Sequence, residues 1–243
     1  PIRRYGIAKG RTIEMGQATT QNSSPLHLVL SWLITLLTPV ALVMISIRAL
    51  IFPWFLSFEY QMPGFPPDPF GFSLANRLHW AGIDLEYLLN DQGIDFLGDL
   101  RFPDGTTVYN QRELSHMIDA KNALRAALTV GYVSLGLLVI LGLWAWRGHW
   151  WYQFRRGLGR GGWLTLFFVI GILIFVAFGF GVFFVAFHEV FFPPNTWMFF
   201  TSDTLIRLFP ERFWRDIFVY VGVLSAGMGL LIGLFARRRD NPA

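Results

Sequence analysis

The chain has 243 residues, 53% of them hydrophobic and only 15% charged, with a net charge of +4 and no cysteine. A soluble domain carries about 25% charged residues. Here the apolar residues are gathered into four long blocks, which excludes a soluble globular enzyme and intrinsic disorder. The missing cysteine excludes disulfides, thiolate zinc sites, iron–sulfur clusters and a cysteine nucleophile. The pI is near 9.7, but the basic residues flank the apolar blocks, so no nucleic-acid partner is expected.

A membrane helix needs about 20 predominantly apolar residues to cross a hydrocarbon core of about 30 Å. The first segment that qualifies spans residues 28–52 and reads as an uncleaved signal anchor. It contains Pro39, tolerated in a membrane helix, and Arg48, placed to reach outward near its end. The other spans cover about 123–146, 163–187 and 217–236. The expected fold is therefore an all-α membrane protein of four transmembrane helices, one integral domain over 1–243. Orientation follows from Lys and Arg. Arg3, Arg4, Lys9 and Arg11 in the N-terminal tail, Arg147, Arg155, Arg156 and Arg160 between spans two and three, and Arg237, Arg238 and Arg239 at the C-terminus all fall on one side. Both termini are placed in the cytoplasm. Trp54, Trp144, Trp146, Trp150, Trp151 and Trp163 fit interfacial belts.

Two segments then face outward, 53–122 and 188–216, and form a partly structured extracytoplasmic cap. The run QMPGFPPDPFGF at 61–72 is a turn-rich loop. Residues 73–90 place Leu74, Leu78, Ala81, Leu85 and Leu88 at helical spacing and predict an amphipathic helix. A small hairpin is expected around Pro103-Asp104-Gly105 within 95–109. Asn110 followed by Glu113 resembles a capping box, so a helix starts at Gln111. Gly229 and Gly233 in span four, and Gly179 and Gly181 in span three, allow close helix packing.

The chemistry-bearing residues are few. His27, His149 and His79 read as interfacial or surface residues. Glu113, His116 and Asp119 follow at i, i+3 and i+6, on neighbouring turns of one helix face. A carboxylate one turn from an imidazole can fix its tautomer and raise its basicity; the alternative is a solvated helix with ordinary charge pairs. His188 stands directly after the apolar run and before Glu189, an unusual ionisable pair at a membrane boundary. Pro193-Pro194 stops its helix, and an aromatic segment with Asn195, Trp197, Asp203, Arg207 and Glu211 follows. No HExxH, GxSxG, P-loop or dinucleotide motif occurs. His116, Asp119, His188 and Glu189 form a loose metal-ligand set without a tight motif, and neither metal nor cofactor is expected.

Two stretches carry a resemblance. RELSHMIDAKNAL before the second span and FHEVFFPPNTWMFFTSDTLIRLFPERFW after the third are similar, in that order, to the paired motifs of the lipoprotein intramolecular transacylase family of four-span bacterial membrane proteins. The resemblance implies an acyltransferase of the bacterial cytoplasmic membrane, multi-pass, with its active site facing outward. Its substrate would be a diacylglyceryl lipoprotein held among membrane lipid. The sn-2 acyl chain would move to the α-amino group of the lipoprotein's N-terminal cysteine, giving the lyso form. The family's two functional histidines fall on His116 and His188. His116 would act as general base and then acid, and His188 would hold the ester carbonyl or its oxyanion or share the proton transfer, with the roles open to exchange. Glu113, Asp119, Asn195, Trp197 and Asp203 are the candidate substrate-binding residues. The competing readings are a non-catalytic envelope protein and a membrane hydrolase or transferase acting on another lipid. One geometric expectation follows. A straight helix from Gln111 lifts His116 above the boundary where His188 sits, so the two meet only if the helix is broken near Asp119–Ala123, tilts strongly, or the site stands above the lipid surface; a break or bend is predicted.

Overall fold

In the computed structural model the described residues are 24–194 and 196–237. Four helices there are long and apolar enough to cross a membrane: α1 (Pro25–Leu50), α5 (Gln111–Arg147), α6 (Trp151–Phe191) and α8 (Glu211–Arg237). Each extends beyond the purely apolar run inside it, most of all α5 and α6, with 37 and 41 residues. Between α1 and α5 lie three shorter helices, α2 (Pro53–Tyr60), α3 (Leu74–Leu89) and α4 (Asp95–Gly98); α7 (Thr204–Leu208) lies between α6 and α8.

Small residues bring the long helices together. A Cβ added to Gly162 of α6 would stand 2.5 Å from the Gly229 carbonyl oxygen of α8, and one on Gly229 would stand 2.7 Å from the Gly162 oxygen. The expected Gly229/Gly233 stripe is thus the contact of α8 with α6. Gly157 and Gly161 of α6 meet Ser31, Ile34 and Thr38 of α1 in the same way, and Gly131 of α5 meets Met44 of α1. Lipid-like surroundings supply no hydrophobic drive between helices, so backbone approach and interhelical hydrogen bonds do the holding. Ser225 Oγ donates to Ser46 Oγ at 2.9 Å, and Ser31 Oγ donates to the Gln153 carbonyl at 2.7 Å.

At one end α5 and α6 are joined by a tight turn, with His149 in the left-handed region at φ 59°. α6 begins four residues after Arg147, so Arg155, Arg156 and Arg160 lie on a helix and not in a loop. Arg155 donates to the Ala236 carbonyl at 2.6 Å, covering the C-terminal end of α8. Trp150, expected at the interface, is instead 1% exposed and packs against His27, Trp144 and Phe154. The Lys and Arg residues of the N-terminal tail, with Arg238 and Arg239, lie outside the described residues.

The short helices pack on the opposite end. α3 is the predicted amphipathic helix, started by a capping box of Ser73 and Asn76. Its buried face, Trp80 and Tyr87, joins Leu97, Val108, Tyr109, Met117, Leu205 and Leu208 in one apolar cluster. Buried polar ties fix the connections. Asp68 pairs with Arg207 at 3.0 Å, Tyr109 donates to Asp84 at 2.7 Å, and Lys121 donates to the Gln92 carbonyl at 2.7 Å. The expected hairpin at 95–109 is reduced to a single bridge between Arg101 and Thr107, with Gly105 at φ +85° in its turn; residues 95–98 form a helical turn instead.

Two local expectations are corrected. α5 runs unbroken through Asp119–Ala123. The break lies in α6, where Gly179 has the non-helical angles φ −148°, ψ 42°. Gly179 and Gly181 do not serve helix packing: a Cβ on Gly179 would meet only Phe175 of its own helix, and one on Gly181 would meet nothing within 4 Å.

Candidate active site

The first turn of α5 is built by reciprocal capping. Asn110 Oδ1 accepts from the Arg112 and Glu113 amides, and Glu113 Oε2 accepts from the Asn110 amide at 2.8 Å. The other Glu113 oxygen accepts from the Leu205 amide of α7, also at 2.8 Å. A carboxylate that is 1% exposed thus ties the start of α5 to α7. Asp203 makes the parallel tie. It accepts from Asn110 Nδ2 at 3.1 Å, from Arg112 at 3.0 Å and from the Phe200 amide at 2.8 Å. These bonds fold the segment after α6 back over α5.

That folding brings the two distant histidines together. His116, one turn beyond Glu113, faces His188 in the last turn of α6, with ring centroids 6.2 Å apart and planes inclined by 24°. Phe192 lies against both, 4.9 Å from His116 and 5.2 Å from His188. Phe199 sits 5.3 Å from His116, and Trp197 sits 4.9 Å from His188. The pair occupies an aromatic enclosure, and His188 is only 8% exposed.

The nitrogens of the pair differ. His188 Nδ1 lies 2.7 Å from the Phe184 carbonyl oxygen, one turn back on α6. A carbonyl can only accept, so Nδ1 carries the proton and Nε2 of the neutral ring holds a lone pair. His116 Nδ1 is buried without a hydrogen-bond partner. The carboxylates expected to orient His116 do not reach it: both Glu113 oxygens are engaged elsewhere, and Asp119 has no hydrogen bond or ion pair among the described residues. Glu189 is exposed. Among the described residues no three of His, Asp and Glu converge as a metal site. Asn195 lies outside the described residues. Sequence reasoning did not single out Phe192 or the Phe184 carbonyl; the latter signal is the i−4 position relative to a histidine at a helix end.

The arrangement offers one imidazole acceptor, a second imidazole with a nitrogen that has no hydrogen-bond partner, and a surround of aromatic rings. Such a set suits proton transfer around an ester. The family model of lipoprotein intramolecular transacylase Lit matches residues 32–214. The chain is 31% identical over 204 residues to an uncharacterized protein of Aquifex aeolicus (strain VF5), covering 84% of this chain and 91% of that one. Its fold is similar to the in meso structure of the membrane integral lipoprotein intramolecular transacylase Lit from Bacillus cereus, with a TM-score of 0.63 at 19% identity over 87% of this chain and 94% of that one. It is also similar to a variant of that protein with one histidine replaced by alanine, at a TM-score of 0.68 and 20% identity over 87% and 92%. This chain belongs to the lipoprotein intramolecular transacylase family, as a multi-pass membrane enzyme.

Proposed function

We propose that His116 and His188 carry out the family's reaction on a diacylglyceryl lipoprotein, moving its sn-2 acyl chain to the α-amino group of the N-terminal cysteine. The observation that carries this reading is the meeting of the two imidazoles, 72 positions apart in sequence, within one aromatic enclosure.

Amine and ester belong to one molecule, so the site has only to fold the headgroup into attack geometry. Proximity of this kind contributes about 7–11 kcal/mol toward the barrier. A terminal amine titrates at about 7.7–8.0, so part of the substrate is already neutral at pH 7. The amine nitrogen attacks the sn-2 carbonyl carbon. His188 Nε2, the lone-pair nitrogen, takes the proton from the attacking nitrogen. As the intermediate collapses the same imidazolium returns that proton to the departing sn-2 oxygen. One proton moves from nitrogen to oxygen, one C–N bond forms, one C–O bond breaks, and His188 is restored. His116 holds the amine by accepting its second N–H. This assignment exchanges the roles expected from the resemblance and makes His188 the acid–base group, because the Phe184 carbonyl fixes its tautomer, whereas no such partner fixes His116. Glu113 and Asp203 then act on substrate only through the shape of the enclosure, and Trp197 and Phe199 line it.

The side of the membrane belongs to the same proposal. The end bearing the histidines faces out of the cytoplasm and the arginine-rich α5–α6 turn faces in, by the charge rule; the membrane is the bacterial cytoplasmic membrane. Mass spectrometry of a lipoprotein's N-terminal peptide, from cells with and without the protein, tests the function. Wild type converts the diacylglyceryl form to the N-acyl lyso form, while His116→Asn and His188→Asn at equal expression do not. Full conversion by either variant would refute the two-histidine reading.

A further inference from the structure

We propose that the Trp197 indole N–H is the hydrogen-bond donor that receives the oxyanion formed on the sn-2 ester carbonyl, an inference that rests on the transacylation reading above. The local sequence places the ring. Pro193-Pro194 ends α6, and the turn closes on itself through the Thr196 hydroxyl, which donates to the Pro193 carbonyl at 2.9 Å. The chain reverses, and the next side chain, Trp197, lies on His188 with centroids 4.9 Å apart and planes inclined by 37°.

The indole nitrogen is buried and has no hydrogen-bond partner. It is a donor only. Leaving a buried donor unpaired costs stability, and a phenylalanine would fill an aromatic enclosure without that cost. An unpaired polar atom at a catalytic pair is therefore a candidate for service during reaction. It does not stand alone, because His116 Nδ1, also without a partner, belongs to the same cluster. The reaction requires an acceptor that takes and returns a proton, a group that holds the amine, and a donor at the carbonyl oxygen. His188 Nε2 and His116 supply the first two, and Trp197 Nε1–H supplies the third. The competing donor is Arg112, whose guanidinium lies over Phe199 and Phe200. Its terminal nitrogen is held by Asp203 at 3.0 Å and its Nε, though without a partner, sits on a group bound away from the histidines, whereas Trp197 lies directly against the proton-transferring ring.

As the amine attacks, the carbonyl π pair moves onto oxygen, and the N–H of Trp197 stabilises that charge among apolar rings. When the intermediate collapses the pair returns to re-form the C=O of the new amide, the bond between the acyl carbon and the sn-2 oxygen breaks, that oxygen takes the proton from His188, and the indole keeps its proton throughout. The donor is used most strongly in the transition state, so its removal acts on kcat rather than KM.

The test is Trp197→Phe in the full-length enzyme, in detergent or proteoliposomes, with a diacylated lipopeptide followed by mass spectrometry. This substitution keeps an aromatic ring and deletes the N–H. The expected result is a fall in kcat of about 100–1,000-fold, as for loss of one oxyanion donor, with KM little changed and the melting temperature not lowered. Trp197→Phe with wild-type kcat overturns the inference and leaves the transacylase reading standing. A fall in kcat that tracks a fall in melting temperature overturns it in favour of packing. A folded wild-type protein that converts no substrate overturns the transacylase reading, and this inference with it.

Discussion

Glu113 separates two accounts of the same residue. From the sequence it is a substrate-binding carboxylate beside His116; in the structure it joins two elements. Glu113→Ala removes acceptors from two backbone amides, Asn110 and Leu205. Leu205 is buried, so its stranded N–H carries the full penalty of about 1–3 kcal/mol for an unpaired buried donor. The Asn110 amide lies nearer solvent and can be rehydrated, so the loss there is that of a net hydrogen bond, about 0.5–1.5 kcal/mol. Together the substitution costs about 2–4 kcal/mol. At about 2–4 °C per kcal/mol for a chain of this size, that lowers the melting temperature by about 4–16 °C. Glu113→Gln retains one acceptor and sets an N–H₂ against the other amide, so it falls between wild type and Glu113→Ala. Melting is followed by tryptophan fluorescence in detergent, and transacylation is measured well below the lowest transition. Glu113→Ala with a wild-type melting temperature refutes the clamp. If its kcat/KM has also collapsed, the carboxylate touches substrate after all.

Three other expectations follow from buried or closely packed groups. Burial pushes the Asp84 carboxyl up from 3.8 to about 8, with the nearby Glu113 charge adding to the rise against the Tyr109 hydrogen bond. A raised acid is protonated in the folded protein, so its stabilising contribution is present below about pH 4 and is lost as pH rises through about 8. Asp84→Asn flattens the melting temperature against pH over that window, and an unchanged slope would contradict the assignment. Gly229→Leu forces α8 from α6, where the glycine backbones touch; overpacking of this kind costs about 1–3 kcal/mol or more, visible as a lower melting temperature, and a wild-type value would mean the helices do not meet there. With no native cysteine, single-cysteine variants report the side of the membrane. Ser115→Cys, at an exposed position beside His116, reacts with a membrane-impermeant maleimide added outside intact cells, and His149→Cys reacts only after lysis; the reverse pattern would invert the proposed orientation.

The long helices were legible because their signal is local. Twenty apolar residues in a row require a helix whatever surrounds them, and Asn110 with Glu113 marks the start of α5 within three positions. What composition hides is where a helix continues through polar sequence. RRGLGRGG at 155–162 reads as a glycine-rich basic loop, yet it is helix. Its glycines face Ser31, Thr38, Ala236 and Gly229, so their intrinsic cost in a helix is outweighed by backbone contacts that only the assembled bundle reveals. The same limit applies to the site. Spacing places Glu113, His116 and Asp119 on neighbouring turns, but spacing does not show that Glu113 is turned toward the Leu205 amide 92 positions away. Nor does it show that His188 takes its partner from the backbone of its own helix.

The position of the histidines along their helices bears on how a lipid ester reaches them. From the α5–α6 turn to His116 the chain climbs about 46 Å, and to His188 about 55 Å before the Gly179 kink shortens it, at about 1.5 Å per residue. A hydrocarbon core is about 30 Å thick, so an untilted pair stands beyond it, at the level of headgroups. The extra length of α6 and its kink are what allow an unbroken α5 to meet it there. This is the level at which a glyceryl ester of a membrane-anchored lipoprotein lies when its acyl chains remain in the bilayer. The site therefore needs no cavity deep among the helices for the whole lipid. On the proposed reading it needs an apolar surround at the headgroup plane, and the rings of Phe192, Trp197 and Phe199 lie against the imidazoles there. Water exclusion matters to the outcome as well as the rate: the same ester attacked by water would give a fatty acid and lose the acyl group that transfer to nitrogen keeps.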